Sequence, residues 1–150
     1  MKKRTPHIRL AILLAVGLSV CETLYAQPQT SGDTTGVKEV INRFYDGWNT
    51  HDVEKMVSAY AEDIDHVNAF GELHAGKPAI KEALTQFHAD RTRNTFKKIT
   101  FEKIRFIKHD VAVAIVRQVS TVGNLGTFVL SKDSGKWLIV SFANVPYKLP

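Results

Sequence analysis

The chain has 150 residues, with 20 Lys and Arg against 15 Asp and Glu, a formal net charge of +5 and a single cysteine. That length suits one domain, and one cysteine excludes an intrachain disulfide framework or a cysteine-rich metal site. The basic excess sits at the start: without Lys2, Lys3, Arg4, Arg9 and Glu22 the balance is 16 to 14 and the net charge +2, so the concentrated basic face of a nucleic-acid or anionic-membrane binder is not expected.

Those basic residues lead into an apolar run over residues 10–20, and Ala26 offers a small residue at a cut before Gln27. This is the pattern of a secretory leader, and the run is too short for a bilayer, which takes about 20 residues. Residues 1–26 read as a signal peptide and the mature protein as periplasmic or secreted, with no membrane contact beyond export. Cys21, after Leu18-Ser19-Val20, suggests a rival lipoprotein, which the bulky Val20 disfavours. Residues 27–36, QPQTSGDTTG, have nothing to bury and read as a flexible linker.

The domain is expected over residues 37–148. Val37, Val40, Ile41, Phe44 and Trp48 mark one face of a first helix. Tyr45 and Trp48 have polar tips that suit a pocket wall, although a core position is the plainer reading. Asn49 is placed to end this helix in the left-handed conformation, and Asp52 to cap a second one along Val53, Met56, Val57 and Tyr60. From Asp63 the period changes to two, with Ile64, His66 and Asn68 on one side of a strand, and residues 72–75 forming a short return strand. Pro78 opens a third helix whose face carries Ile80, Ala83 and Leu84, with His88 at its edge.

The remainder alternates as strands. In residues 96–108 the pattern slips between Phe101 and Ile104, which predicts a bulge near Glu102-Lys103. Residues 111–122 form a strand whose later polar members include Arg117 and Gln118. Residues 123–126, GNLG, are predicted to turn into a strand over 127–131, and Asp133-Ser134-Gly135 to turn into a last strand in which Trp137 and Ile139 oppose Phe142 and Asn144. Helices first and an antiparallel meander afterwards argue an α+β domain with a curved sheet wrapped over three N-terminal helices.

Trp48-Asn49-x-His51-Asp52, Tyr60-Ala61-Glu62-Asp63 with Val67-Asn68 and Gly71, Gly76-x-x-x-Ile80, and Gly135-x-Trp137-x-Ile139 with Phe142 and Asn144 run in order along nearly the whole mature chain. On these motifs the sequence resembles the SnoaL-like branch of the nuclear transport factor 2-like superfamily, and within it the SgcJ/EcaC-type proteins. The resemblance implies a cystatin-like α+β roll: a cone-shaped antiparallel sheet whose helices close the wide end over an apolar pocket, commonly as a homodimer. It implies no single chemistry, since the fold hosts isomerases, cyclases, hydrolases and domains without a reaction.

The family's catalytic arrangements are only partly matched. Asn68 falls where ketosteroid isomerases carry a carboxylate base, and Phe44 where they carry an oxyanion-hole tyrosine; an amide takes no proton near neutral pH and Phe donates no hydrogen bond. Of the SgcJ/EcaC pattern, Leu84 replaces one histidine, His88 matches another, and Ala143-Asn144-Val145 keeps only the asparagine of His-Asn-Thr. Replacement of polar groups by apolar ones favours binding over catalysis.

Within the implied pocket His66, His74 and His88 are the candidate proton-handling groups, because imidazole titrates near neutrality. Tyr45, Trp48, Tyr60, Asn68, Arg117 and Asn144 are the candidate ligand contacts. The plain alternative for each histidine is a satisfied or solvated side chain. No H-x-x-x-H or H-E-x-x-H spacing occurs, so no metal is expected, and without a dinucleotide fingerprint or redox cysteine no cofactor either. Two readings stay open: an exported domain that binds a small apolar molecule, with weak isomerase- or hydrolase-type chemistry through pocket histidines as its extension, or a non-catalytic homodimeric interaction module whose pocket is filled by its own side chains.

Overall fold

A computed structural model describes residues 31–90, residue 94 and residues 96–149. The leader, Cys21 and residues 27–30 lie outside them. Three helices, α1 (Ser31–Thr50), α2 (Val53–Val57) and α3 (Lys77–Phe87), accompany six strands: β1 (Tyr60–Val67), β2 (Leu73–Ala75), β3 (Lys98–Lys108), β4 (Val111–Val119), β5 (Gly123–Asp133) and β6 (Lys136–Tyr147). They form one curved, open sheet in the order β2-β1-β6-β5-β4-β3. Neighbours are antiparallel except β1 and β6, which run parallel where the helical half of the chain meets the meander.

Helix α1 buries Val37, Val40, Ile41 and Phe44, as its stripe predicts, but it starts at Ser31. The expected linker over residues 27–36 therefore gives way to helix from Ser31. Contacts with the β5–β6 hairpin explain the extra turns: Lys132 Nζ donates to Asp33 Oδ1 at 3.2 Å. Gly36 lies against Trp137 so closely that a Cβ would stand 2.8 Å from Cδ1 of the indole.

At the corner after α1, Asp52 Oδ1 accepts the Lys55 N–H at 2.9 Å and caps α2 as expected. His51, with φ of 57°, takes the left-handed position predicted for Asn49. Asn49 spends its amide elsewhere. Its Nδ2 donates to the Lys97 carbonyl at 3.1 Å, and its Oδ1 accepts the Lys97 N–H at 2.8 Å. Helix α2 is only five residues long, so Tyr60, expected on its apolar face, instead opens β1.

The sheet bears out one expected irregularity and departs from the expected strands at two other places. The predicted bulge in β3 appears as a register shift between Phe101 and Lys103. Residues 123–126 are the start of β5 and not a turn; Gly126 provides room, since a Cβ there would stand 2.6 Å from Gln118 Nε2. In β6, Leu130 pairs with Ile139 but Val129 with Ser141, which leaves Val140 as an extra residue. That bulge puts Phe142 on the same face as Trp137 and Ile139, and all three are buried.

The core lies between α1 and the inner face of the sheet. Phe128 and Phe142 stack with ring centres 4.2 Å apart and 8° between planes, and Phe44 meets Phe142 edge-on at 5.7 Å. On β4 Ala114 pairs with Phe128 and Ala112 with Leu130, and both alanines are fully buried.

Candidate functional site

Along the inner face of the sheet, side chains change character from one end to the other. In β4 the buried series runs Ala112, Ala114, Val116, Gln118; in β5 it runs Leu130, Phe128, Gly126, Asn124. In β6 Phe142 is followed on that face by Asn144, and in β1 Ile64 by His66, with Asn68 just past the end of the strand. Each strand contributes bulk at one end and a polar tip at the other.

At the polar end is a cavity of about 620 Å³. Of the sequence-predicted residues, Trp48, His66, Asn68, His74 and Asn144 line it. Apolar wall is supplied by Phe44, Ile80, Leu84, Phe87 and Phe142.

The other four do not reach the cavity. Tyr45 is 2 % exposed and packs edge-on to Phe44, because its place next to Phe44 turns it into the core. Tyr60 is fully buried behind the wall as the first residue of β1. His88 packs edge-on to Trp48 at 4.7 Å and meets His51 Nδ1 at 3.1 Å, so it belongs to the α1–α3 junction. Arg117 points to the outer face, where it pairs with Glu102 and lies 5.1 Å from the Tyr147 ring centre. Its neighbour Gln118 takes the inward position.

His66 is a strongly perturbed member of the wall. Burial, then the nearby His74 and Lys97, push its pKa down to about 4, so the imidazole is neutral across the physiological range. Its Nδ1 lies 3.3 Å from the Tyr60 hydroxyl. Burial holds that phenol in its protonated form, and among the described residues it has no other partner. Donation from Tyr60 to Nδ1 satisfies the hydroxyl and leaves the imidazole proton on Nε2. His66 then acts as a hydrogen-bond donor, with its basic nitrogen already occupied.

The β1–β2 turn uses most of Asn68: its Oδ1 accepts the N–H groups of Phe70 and Glu72 at 2.9 and 3.1 Å, and its Nδ2 donates to Glu72 Oε2 at 2.7 Å. His74, half-buried at the mouth, has Nε2 3.9 Å from the same Glu72 oxygen.

Further polar residues on the wall escape sequence reasoning, Lys97, Gln118 and Asn124 among them. Lys97 Nζ donates to Gln118 Oε1 at 3.1 Å and lies 4.2 Å from the Trp48 ring centre. Gln118 Nε2 donates onward to Asn144 Oδ1 at 2.7 Å. Burial lowers the Lys97 ammonium to about 8. Asn124 is 5 % exposed, and its Oδ1 has no hydrogen-bond partner among the described residues. Among the described residues, no group of three or more His, Cys, Asp or Glu could hold a metal ion.

Comparison with known proteins adds a family and a fold. A family model described as SnoaL-like domain matches residues 41–138. A domain of unknown function with a cystatin-like fold from Nostoc punctiforme is similar in structure, with a TM-score of 0.72, 18 % identity and 81 % of each chain covered. An NTF2-like protein of unknown function from Shewanella oneidensis has a TM-score of 0.67 at 15 % identity, over 75 % of this chain and 98 % of that one. A ketosteroid isomerase-like protein from Erwinia carotovora atroseptica has a TM-score of 0.68 at 11 % identity, over 79 % and 99 %. Identities this low carry the fold alone. No protein with a curated description matches the sequence.

Proposed function

The chain belongs to the SnoaL-like domain family, and on that premise we propose that it is an exported domain that binds a small apolar molecule in the cavity at the polar end of its sheet. The observation that carries the reading is the cavity itself, about 620 Å³ with His66 and His74 on its wall. Small-molecule sites run from about 300 to 1,000 Å³ and combine an apolar lining with a few placed polar groups. A hollow of this size counts against the rival interaction module with a filled interior.

Binding is favoured over catalysis by the state of the polar groups. An imidazole with a pKa of about 4 is a weak base, and the basic nitrogen of His66 faces Tyr60. His74 is the remaining wall histidine for proton transfer in any isomerase- or hydrolase-type step. Asn68, at the position of the ketosteroid isomerase base, is committed to a turn. Its motifs place the chain nearest the SgcJ/EcaC type, as part of the same proposal.

Export with cleavage after Ala26 belongs to this reading, as does a homodimer formed through the outer face of the sheet. There Val113, Ile115, Val129, Leu138 and Val140 are half-buried. Native mass spectrometry of protein taken from the periplasmic fraction of its host tests all parts together. The expected species is a dimer starting at Gln27 with a small apolar compound retained. Recovery of an empty monomer overturns the proposal.

A further inference from the structure

We propose that the ligand of this cavity carries one carboxylate, and that Lys97, Gln118 and Asn144 form the platform that receives it. This rests on the binding reading above and names the chemical class of the occupant.

The platform begins with a fixed backbone. The two bonds from Asn49 hold Lys97 in the wall from both its N–H and its carbonyl, at 2.8 and 3.1 Å. From there the ammonium reaches the face of Trp48 and the oxygen of Gln118.

The lysine then sets the orientation of both amides. An ammonium can only donate, so the Gln118 atom that faces it must be oxygen. Gln118 Nε2 is thereby turned to Asn144, donates to its Oδ1 at 2.7 Å, and leaves the Asn144 NH₂ outermost. Every oxygen in the string is used within it. What remains toward the cavity is a set of N–H groups from Lys97, Gln118 and Asn144. The absent Cβ of Gly126 allows the string to cross β5, since a methyl there would collide with Gln118 Nε2.

Charge balance points the same way. Among the described residues no carboxylate pairs with Lys97, and its neighbour on the wall, His66, is neutral. Glu72, at the mouth, is engaged by Asn68 at 2.7 Å and lies near His74. A partly buried cation without a countercharge is costly, and an anionic ligand would remove that cost. One cation flanked by neutral amides suits a monoanion. A phosphate dianion would bring a second charge that no further lysine or arginine among the described wall residues meets. Trp48, Leu84, Phe87 and Phe142 supply apolar wall for the rest of the molecule.

The test uses 2-naphthoate and its neutral counterpart 2-naphthylmethanol, titrated calorimetrically at pH 7 into the wild-type protein and the Lys97→Met and Asn144→Leu variants. Wild type is expected to bind naphthoate at least about ten-fold more tightly than the alcohol. Lys97→Met should abolish that preference, bringing the two affinities within about two-fold of one another, while Asn144→Leu weakens naphthoate by several-fold. Thermal melts of both variants check that they fold, and Asn144→Leu leaves the lysine in place if Lys97→Met does not. Equal binding of the two compounds by wild type, unchanged in the variants, overturns the carboxylate and leaves the cavity reading standing. No binding of either compound to wild type overturns both.

Discussion

The two ends of the inner sheet face are built from the same strands but solve different problems. At the apolar end Phe44, Phe128 and Phe142 fill the space over Ala112 and Ala114, and every side chain there contributes to stability through close contact. At the other end the same strands finish in Gln118, Asn124 and Asn144, and helix α3 stands off to leave a cavity. Side chains there trade packing for directed polar groups. The difference teaches that one end holds the fold and the other is free to hold something else, so substitutions at the two ends should have different consequences and even different signs.

The largest effect is expected at the packed end. Phe128 is fully buried and stacked on Phe142, and Phe128→Ala should cost about 3 to 5 kcal/mol in urea denaturation. A loss below about 1 kcal/mol would mean that the packed end is not packed, and the comparison would fail at its first term.

How much of this contrast was legible in the sequence depends on what each residue has for a signal. The stripe of α1, the Asp52 cap, the β3 bulge and the α+β order all come from short-range periodicity, and they appear in the structure as read. The β6 bulge at Val140 has no such signal, so Phe142 and Asn144 were assigned to the face opposite Trp137, while the extra residue brings them together. In β4 an apolar run on both faces hides which side is inward, so Arg117, expected at the pocket, faces outward and its neighbour Gln118 lines the wall. Lys97, beside Lys98, looks solvated; distant Asn49, 48 residues away, holds it in the wall. Contacts at that separation leave no local pattern.

The next effect in size is a pH response at the boundary between the two ends. Tyr60, His74 and Lys97 are the titratable groups around His66, whose pKa in the fold is about 4 against a reference of 6.5. Above pH 6.5 neither folded nor unfolded His66 is protonated, and it contributes nothing. As pH falls, the unfolded chain takes up the proton first, so stability is lost from about pH 6.5 down to about 4, by roughly 3 kcal/mol in total. A urea series from pH 7.5 to 4 on wild type and His66→Gln should show the steeper decline in wild type. Parallel declines would place His66 in contact with water and remove it from the boundary.

The smallest effect carries the opposite sign and sharpens the comparison most. Lys97→Met removes a partly buried charge from the cavity end and keeps the aliphatic stem against Trp48. Gln118 Oε1 loses a donor, but the cavity beside it has room for a water to replace the ammonium. The variant should therefore be more stable than wild type at pH 7, by about 1 kcal/mol. The gain also has a pH signature. With its pKa lowered to about 8 in the fold and 10.5 in the unfolded chain, Lys97 stays protonated longer in the unfolded state, so wild-type stability rises relative to the variant between those values. The advantage of Lys97→Met should shrink across that interval in paired denaturation curves at pH 7, 9 and 10.5. A variant that is less stable than wild type at pH 7, with a difference that does not change with pH, would show that Lys97 serves the fold, and the cavity end would then be an extension of the core.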